Sequence, residues 1–319
     1  MIFYDSNLQQ LPNYDKIDWG PGCGNFGNQA KYSQLTIYFK YKFIGKKVCI
    51  CNSNNYNLEL LNSSDVDHVI LNCSDHPYDI PSTTKLIKPV TILSSNFNEA
   101  NFYPYHLLFS AALHNADDLT SARKYSLSCI NRSPRITRIY NLMLLRRHTF
   151  YNDIRTNWFR LSEINGPIPA YTDMVAQLGK TITDEFLAIE KSYPEYNPLS
   201  EYDLCSRIDE YTDSYCNLVA ESYLDNIGFV TEKIYKPIRA GQLFLVQGPP
   251  GAINLLRTQG FDVFDDYIDH SYDTELDWKT RTDLVHKSLS AVYPQIEQIF
   301  NATVERRQAN VEKLKSYYR

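Results

Sequence analysis

The sequence predicts an α/β protein built from two units, each with a mainly parallel sheet. Short apolar runs rich in Val and Ile recur between turn or helix signals, and they do so in both halves of the chain. Strands of a parallel sheet are buried on both faces and therefore form continuous apolar runs. The length of 319 residues suffices for two domains. A composition of 43% hydrophobic and 22% charged residues is typical of a globular protein.

The first unit is predicted to contain four strands. The segment Gln29–Tyr41 can form a helix between the first two, and Asn101–His114 is predicted to be a helix that ends the unit. We place the domain boundary in the polar stretch near residue 118, so that residues 1–118 and 119–319 form separate domains. The predicted strands are Ile2–Tyr4, Lys47–Asn52, His68–Cys73 and Pro89–Leu93.

The second unit repeats this pattern, and together the two predict Rossmann-like domains that face a cleft. Pro237 falls inside a predicted helix, where it should cost about 3 kcal/mol or kink the helix. Gly248-Pro-Pro-Gly251 predicts a turn, and Gly260 ends the short helix after it. Strands are predicted at Tyr125–Ile130, Tyr215–Ala220 and Leu243–Gln247, helices at Thr137–Arg147, Asp184–Ser192 and Glu232–Ala240, and a helical C-terminal region at 278–319 with a break at Pro294.

The charge of the chain is unevenly placed. The net charge is −5, but residues 121–160 hold nine Lys and Arg against one Asp. A basic block in an acidic chain indicates a specific anion site, or simply a solvated face. Asn131, Arg132 and Arg138 follow the carboxyl end of a predicted strand, where open α/β sheets bind ligands. Because arginine forks match phosphate oxygens, these residues are candidate phosphate ligands.

The segment 219–241 is the most informative part of the sequence. It passes from an apolar strand through a polar loop into a helix that begins with Thr231, Glu232 and Lys233. A helix N-terminus exposes N–H groups and a partial positive charge, to which Lys233 adds a cation. Glu232 supplies an acceptor for two sugar hydroxyls. These residues predict a pocket for a nucleotide-sugar; the alternative is a surface helix with a Thr cap.

Three further motifs are weaker. Gly22–Gly27 matches the G-x-G-x-x-G motif of dinucleotide sites. No convincing strand precedes it and no acid follows at about 20 residues, so a flexible loop that lines the cleft is the simpler interpretation. Asp65 and Asp67 form a D-x-D pair that either binds a divalent metal or lies in a solvated loop. A zinc site or a buried apolar core are the alternatives for Cys49, Cys51, Cys73 and His76.

Seven cysteines without framework spacing indicate reduced thiols, hence a cytoplasmic protein. The sequence Met-Ile-Phe-Tyr-Asp-Ser at the start lacks the features of a signal peptide, and no apolar window is long enough for a membrane span.

Residues 215–251 resemble the donor-binding region of the α1,3-fucosyltransferase-like glycosyltransferases. That family carries F-E-N-S, a short acidic loop, Y-[IV]-T-E-K and A-G. Here Ala220-Glu221-Ser222 matches F-E-N, Phe229–Lys233 matches Y-V-T-E-K, and Ala240-Gly241 follows. Asn131–Arg138 resembles the family's Arg-bearing turn. Ser222 and Phe229 replace Asn and Tyr, and the loop between them is one residue longer. The chain also resembles glycosyltransferases encoded by bacteriophages and large viruses.

The resemblance implies a GT-B fold in which the second domain binds a nucleotide-diphosphate sugar as co-substrate, with no other cofactor and no metal. Lys233 and Arg138 would neutralise the leaving diphosphate and Glu232 would hold ribose hydroxyls. Glu221 would contact the sugar or orient Lys233. The reaction would be an inverting hexosyl or pentosyl transfer.

An inverting transfer needs a general base in the first domain. Glu99, Asp75 and His76 lie at or after strand ends and are the candidates, with Glu99 preferred. The acceptor would be a glycan or a hydroxymethylated base of viral DNA. A non-catalytic nucleotide or sugar-phosphate binding protein, and a metal-dependent transferase that uses Asp65 and Asp67, are the alternatives.

Overall fold

The structure is a computed structural model, and it describes 11 segments of the chain in two units. Met1–Leu113 together with Lys315–Arg319 form one unit, and His114–Leu314 form the other. The described residues are 2–4, 46–52, 58–73, 90–94, 102–104, 119–131, 133–156, 168–192, 209–222, 224 and 230–317.

The first unit contains a parallel sheet with the order β1-β2-β3-β4-β5. Val48, Val69 and Ile70 are fully buried, as expected for strands covered on both faces. The four predicted strands are confirmed, the fourth shifted by one residue. The strands are β1 (Ile2–Tyr4), β2 (Lys47–Asn52), β3 (His68–Cys73), β4 (Val90–Ser94) and β5 (Phe102–Pro104), and helix α1 (Leu58–Ser63) lies between β2 and β3.

The prediction of a helix over Asn101–His114 is wrong at its start, because Phe102–Pro104 form strand β5. This strand pairs with Ile92–Ser94 and is last in the described strand order. Aromatic residues suit a strand, and Pro104 lacks an N–H group, which an edge position tolerates. The remainder of that segment and the predicted helix Gln29–Tyr41 lie outside the described residues.

The second unit contains a parallel sheet with the order β7-β6-β8-β9. Every residue of β8 and β9 is buried, which explains why both are apolar without alternation. The three predicted strands of this unit are confirmed to within one residue, whereas the two-residue strand β7 was not predicted. The strands are β6 (Tyr125–Cys129), β7 (Arg155–Thr156), β8 (Ser214–Ala220) and β9 (Leu243–Gln247).

Helices surround this second sheet. Helices α2, α3 and α4 share a core that includes Leu142, Met174 and Phe186. Pro237 lies within α6 as expected, and a 3₁₀ turn at Tyr293–Gln295 contains the predicted break at Pro294. The helices are α2 (Ile136–Arg146), α3 (Tyr171–Leu178), α4 (Lys180–Ser192), α5 (Asp209–Thr212), α6 (Glu232–Arg239), α7 (Ala252–Thr258), α8 (Trp278–Val292), α9 (Ile296–Ala302) and α10 (Val304–Ser316).

The predicted α/β class, with a parallel sheet in each of two units, is confirmed. Because β6, β8 and β9 run in the same direction, the carboxyl ends of these strands lie side by side. We call this end of the second sheet its carboxyl edge and the opposite end of the strands its amino edge. The carboxyl edge is where an open α/β sheet places a ligand site.

Candidate functional site

Glu221 anchors the candidate site at the carboxyl end of β8. Its backbone N–H donates to the carbonyl oxygen of Gln247 at 2.9 Å, which continues the β8–β9 ladder by one residue. Its side chain is fully buried. Oε1 accepts a hydrogen bond from the Thr231 N–H at 2.8 Å, and Oε2 accepts one from Thr231 Oγ1 at 2.7 Å and one from the Ser222 N–H at 3.2 Å. The carboxylate therefore joins the end of the strand to the start of α6.

Thr231 is the N-cap of helix α6. Its Oγ1 accepts from the Lys233 N–H at 3.4 Å and from Lys233 Nζ at 3.0 Å. Lys233 Nζ also lies 3.1 Å from Glu232 Oε1. The side chains of Lys233 and Glu232 keep 26% and 18% of their surface exposed. A cation and an acceptor thus reach solvent side by side at a helix N-terminus, whose partial charge favours an anion.

Arg138 connects helix α2 to the same strand end. The side chain is 2% exposed, so its guanidinium is almost entirely desolvated. Nη2 donates to Ser222 Oγ at 3.0 Å, and Nε donates to the Ala220 carbonyl oxygen at 3.3 Å. Burial lowers the pKa of Arg138 to about 10, an effect that Arg135 increases and the carboxylates of Glu221 and Glu232 oppose. Arg138 therefore remains a cation at neutral pH, within the electrostatic reach of both acids.

Asn131 is buried two residues after the end of β6. The side chain is 2% exposed, and its Nδ2 lies 3.5 Å from Cys129 Sγ, as does Nδ2 of Asn141. Burial raises the pKa of the Cys129 thiol to about 11, so the thiol is neutral and unreactive at neutral pH. The contacts seen for Asn131 thus support the strand end.

The structure brings Arg138, Glu221, Ser222, Thr231 and Lys233 into one connected group of contacts, with Glu232 bound to Lys233. The remaining predicted site residues lie outside the described part of the chain: Arg132, Phe229, Asp75, His76 and Glu99, and with them the segment Gly22–Gly27.

Asp65 and Asp67 both contact Lys47. Asp65 accepts a hydrogen bond from Lys47 Nζ, and Asp67 Oδ2 accepts one from the Lys47 N–H at 2.8 Å. Asp65 and Asp67 are exposed at the entry to β3. This geometry fits the solvated loop entry. Within the described segments, no three side chains of His, Cys, Asp or Glu are grouped closely enough to bind a metal ion.

Three described arginines of 121–160 lie at opposite ends of the strands of the second sheet. Arg123 is buried and donates to the carbonyl oxygens of Thr212 and Ala240, which precede β8 and β9. Arg155 pairs with Asp213. Arg138 lies at the opposite, carboxyl edge. Part of this positive charge therefore serves the fold, whereas Arg138 contacts the candidate site through Ser222 Oγ.

Two buried residues at this edge were missed from the sequence. Gln247 donates from Nε2 to the Thr137 carbonyl oxygen at 2.9 Å and to Thr282 Oγ1 at 3.2 Å. Arg281 contacts the turn after β9 through the Gly248 carbonyl oxygen at 2.9 Å. A signal was present for Arg281, because it shares the apolar face of α8 with Val285, and a cation in an apolar stripe needs polar partners.

No protein-family model matches this chain, and neither does any curated protein sequence. Solved structures with some likeness include a DNA-modifying β-glucosyltransferase crystallised with and without uridine diphosphoglucose, with 9% identity, 98% of each chain covered and a TM-score of 0.35. Two others are of the T4 phage enzyme BGT. The complex with UDP and Mn²⁺ shows 9% identity over 98% of each chain and a TM-score of 0.34. The complex with UDP-glucose shows 12% identity, covers 89% of this chain and 94% of that one, and has a TM-score of 0.32. Similarities this low do not establish an activity.

Among the described helices, none is both long and apolar enough to cross a membrane.

Proposed function

We propose that this chain is a nucleotide-sugar-dependent glycosyltransferase of the GT-B type, with its donor site at the carboxyl edge of the β6–β9 sheet. The observation that carries the proposal is the convergence of Arg138, Lys233 and Glu232 with the N-terminus of α6. Two cations and a helix N-terminus suit a diphosphate. An adjacent carboxylate suits the two hydroxyls of a ribose.

In this proposal Lys233 binds the diphosphate of the donor and Glu232 binds its ribose. In the observed arrangement the ammonium lies 3.1 Å from the Glu232 carboxylate. A diphosphate that binds Lys233 competes with Glu232 for this cation and leaves the carboxylate available to the ribose. In the reaction, Lys233, Arg138 and the helix N-terminus offset the charge that develops on the leaving diphosphate, without a metal ion.

Glu221 acts on the donor indirectly in this proposal. Both of its oxygens already accept hydrogen bonds from Thr231 and Ser222, and the side chain is fully buried. It therefore fixes the start of α6 and, through Thr231 Oγ1, the ammonium of Lys233. The sugar contact is left to residues of the segment between Ser222 and Val230.

Chemistry at the acceptor requires a general base, for which Glu99 is the first candidate and Asp75 and His76 are the others. An inverting transfer deprotonates the acceptor hydroxyl as it attacks the anomeric carbon and the diphosphate leaves. The proposed acceptor is a glycan or a hydroxymethylated base in DNA.

The donor assignment is tested by a thermal-shift screen with UDP-, GDP-, ADP- and CMP-sugars. A donor that binds only the folded state raises the melting temperature. We expect one nucleotide to do so with the wild-type chain and to lose most of its effect with Lys233→Ala. Lys287→Ala, an exposed lysine of α8, is the control. A full shift in Lys233→Ala would refute this donor site.

The acceptor is tested with plain duplex DNA, hydroxymethylated duplex DNA and a panel of glycans. Binding to DNA that weakens with rising salt and transfer to the hydroxymethylated duplex would support the DNA acceptor. Donor binding without transfer to any acceptor, unchanged by Glu99→Ala, would instead indicate a non-catalytic binding protein. Loss of transfer with EDTA would contradict metal independence.

A further inference from the structure

Helix α8 carries a buried arginine, Arg281, that contacts two segments next to the candidate site. Arg281 is 1% exposed and is one of the largest fully buried side chains. Its Nε donates to the Gly248 carbonyl oxygen at 2.9 Å and its Nη2 to the Leu224 carbonyl oxygen at 2.5 Å. Nη1 donates to the carbonyl oxygens of Glu275 and Leu276. One guanidinium thus joins three segments that are distant in sequence.

Two of these segments belong to the donor site. Leu224 lies between Ser222 and Thr231, in the connection from β8 to α6. Gly248 is the first residue after β9 and packs beside Glu221, since a Cβ added at Gly248 would lie 3.7 Å from Glu221 Cγ. Arg281 therefore fixes both Leu224, near the start of the β8–α6 connection, and the turn at Gly248 beside the buried carboxylate.

The chemistry of these contacts requires a guanidinium. Backbone carbonyl oxygens in a buried place need donors, and a rigid planar fork supplies several in fixed directions. The ammonium of a lysine offers donors from one point and cannot reach carbonyl groups on separate segments at the same time. The next residue, Thr282, accepts a hydrogen bond from Gln247 Nε2 through its Oγ1 at 3.2 Å, and so α8 also contacts the last residue of β9.

We propose that Arg281 is a positioning residue for donor binding. It holds the carbonyl groups of Leu224, two residues after Ser222, and of Gly248, which packs beside Glu221. In this way it supports the contacts of Glu221 with Thr231 without itself taking part in the reaction. This inference rests on the proposed function for its effect on donor affinity, but its effect on the β8–α6 connection does not depend on the identity of the ligand.

Arg307 provides a matched control. It is also 1% exposed and also binds backbone carbonyl groups, through Nη1 to Gly241 at 2.7 Å and to Leu119 at 3.0 Å. Gly241 precedes β9, whereas Gly248 follows it, so the two arginines serve opposite edges of the sheet. Loss of Arg307 therefore disturbs the fold without touching the donor site.

The test compares Arg281→Met with Arg307→Met by amide hydrogen exchange and by titration with UDP, GDP and ADP in separate experiments. We expect both variants to melt at lower temperature. In Arg281→Met alone, exchange in peptides covering 222–230 rises, and the dissociation constant of the bound nucleotide increases on the order of tenfold. If a Met variant does not fold, Arg281→Lys and Arg307→Lys are compared by the same two measurements.

Equal effects of the two substitutions on nucleotide affinity, or unchanged exchange at 222–230 in the Arg281 variants, would overturn the positioning role. If the wild-type chain binds none of the three nucleotides and none of the nucleotide-sugars of the thermal-shift screen, the donor site itself is refuted. Selective exchange in the Arg281 variant would still establish that Arg281 orders this connection.

Discussion

Glu221 and Thr231, ten residues apart, are joined by two hydrogen bonds that close the connection between β8 and α6: Oε1 to the Thr231 N–H at 2.8 Å and Oε2 to Thr231 Oγ1 at 2.7 Å. The carboxylate also lies at the positive end of α6, a favourable position for a negative charge. The pair is buried, and it fixes Thr231 Oγ1, which accepts a hydrogen bond from Lys233 Nζ at 3.0 Å.

Thr231→Ala should lower the free energy of unfolding by about 1 to 2 kcal/mol. The substitution removes the side-chain N-cap of α6. It also removes the hydroxyl that donates a hydrogen bond to Glu221 Oε2. Urea denaturation measures the change. Thr231→Ser keeps the hydroxyl and is the control; an equal loss in both variants would show that the methyl group, rather than the hydrogen bonds, is what matters.

Arg138→Lys should lower the free energy of unfolding by about 1.5 to 3 kcal/mol, because one ammonium cannot reach all the acceptors of the guanidinium. These acceptors are Ser222 Oγ and the carbonyl oxygens of Ala220 and Ser133. Binding of a nucleoside diphosphate should weaken as well. Arg146→Lys, at the exposed end of the same helix, should change neither quantity. If the folded Arg138→Lys protein bound the nucleoside diphosphate with unchanged affinity, Arg138 would not belong to the donor site.

Glu232→Gln should weaken binding of the nucleoside diphosphate selected by the donor screen by about 1 to 3 kcal/mol. The reason is specific to the ribose, since the carboxylate is proposed to accept from both hydroxyls. Wild-type and Glu232→Gln are also titrated with the 2′,3′-dideoxy nucleotide, which lacks both ribose hydroxyls. That ligand should bind the wild-type and the variant with similar affinity. A loss of the same size for both ligands would contradict ribose recognition by Glu232.

Acid should destabilise the second unit through His286. Burial, with a smaller effect of the neighbouring His148, lowers the pKa of His286 to about 3. Its Nε2 lies 2.9 Å from Asn141 Oδ1 and its Nδ1 lies 2.9 Å from His148 Nε2. An amide oxygen only accepts, so Nε2 carries the proton of the neutral ring and a second proton on Nδ1 would face His148.

The sign of this effect follows from linkage. The folded pKa of His286 lies below the unfolded value of about 6.5, so the unfolded chain binds more protons between the two values. The stabilising contribution is present above pH 6.5 and is lost as the pH falls toward 3, on the order of 5 kcal/mol in total. Urea denaturation at several pH values measures it. His286→Gln should flatten this part of the profile, and an unchanged slope would exclude His286 as its source.

The sequence predicted most described elements because apolar runs and helix signals are local. Continuous apolar runs identified β8 and β9, and Pro294 correctly marked a helix break. Strand β5 was missed because Phe102–Pro104 is short and lies in an apolar stretch that also suits a helix. Helix α3 was missed because its composition is mixed and Gly179 separates it by one residue from α4.

At the site, the sequence by itself determined which residues start α6, because Thr231, Glu232 and Lys233 are neighbours in the chain and a helix N-terminus has a local signature. Only the tertiary structure decided that Glu221 is buried against Thr231 and that Arg138 reaches Ser222, 84 residues away. The same holds for the contacts of Arg281 with Gly248 and Leu224, 33 and 57 residues away. Contacts of this kind depend on strand order and helix packing, which no local pattern of residues encodes.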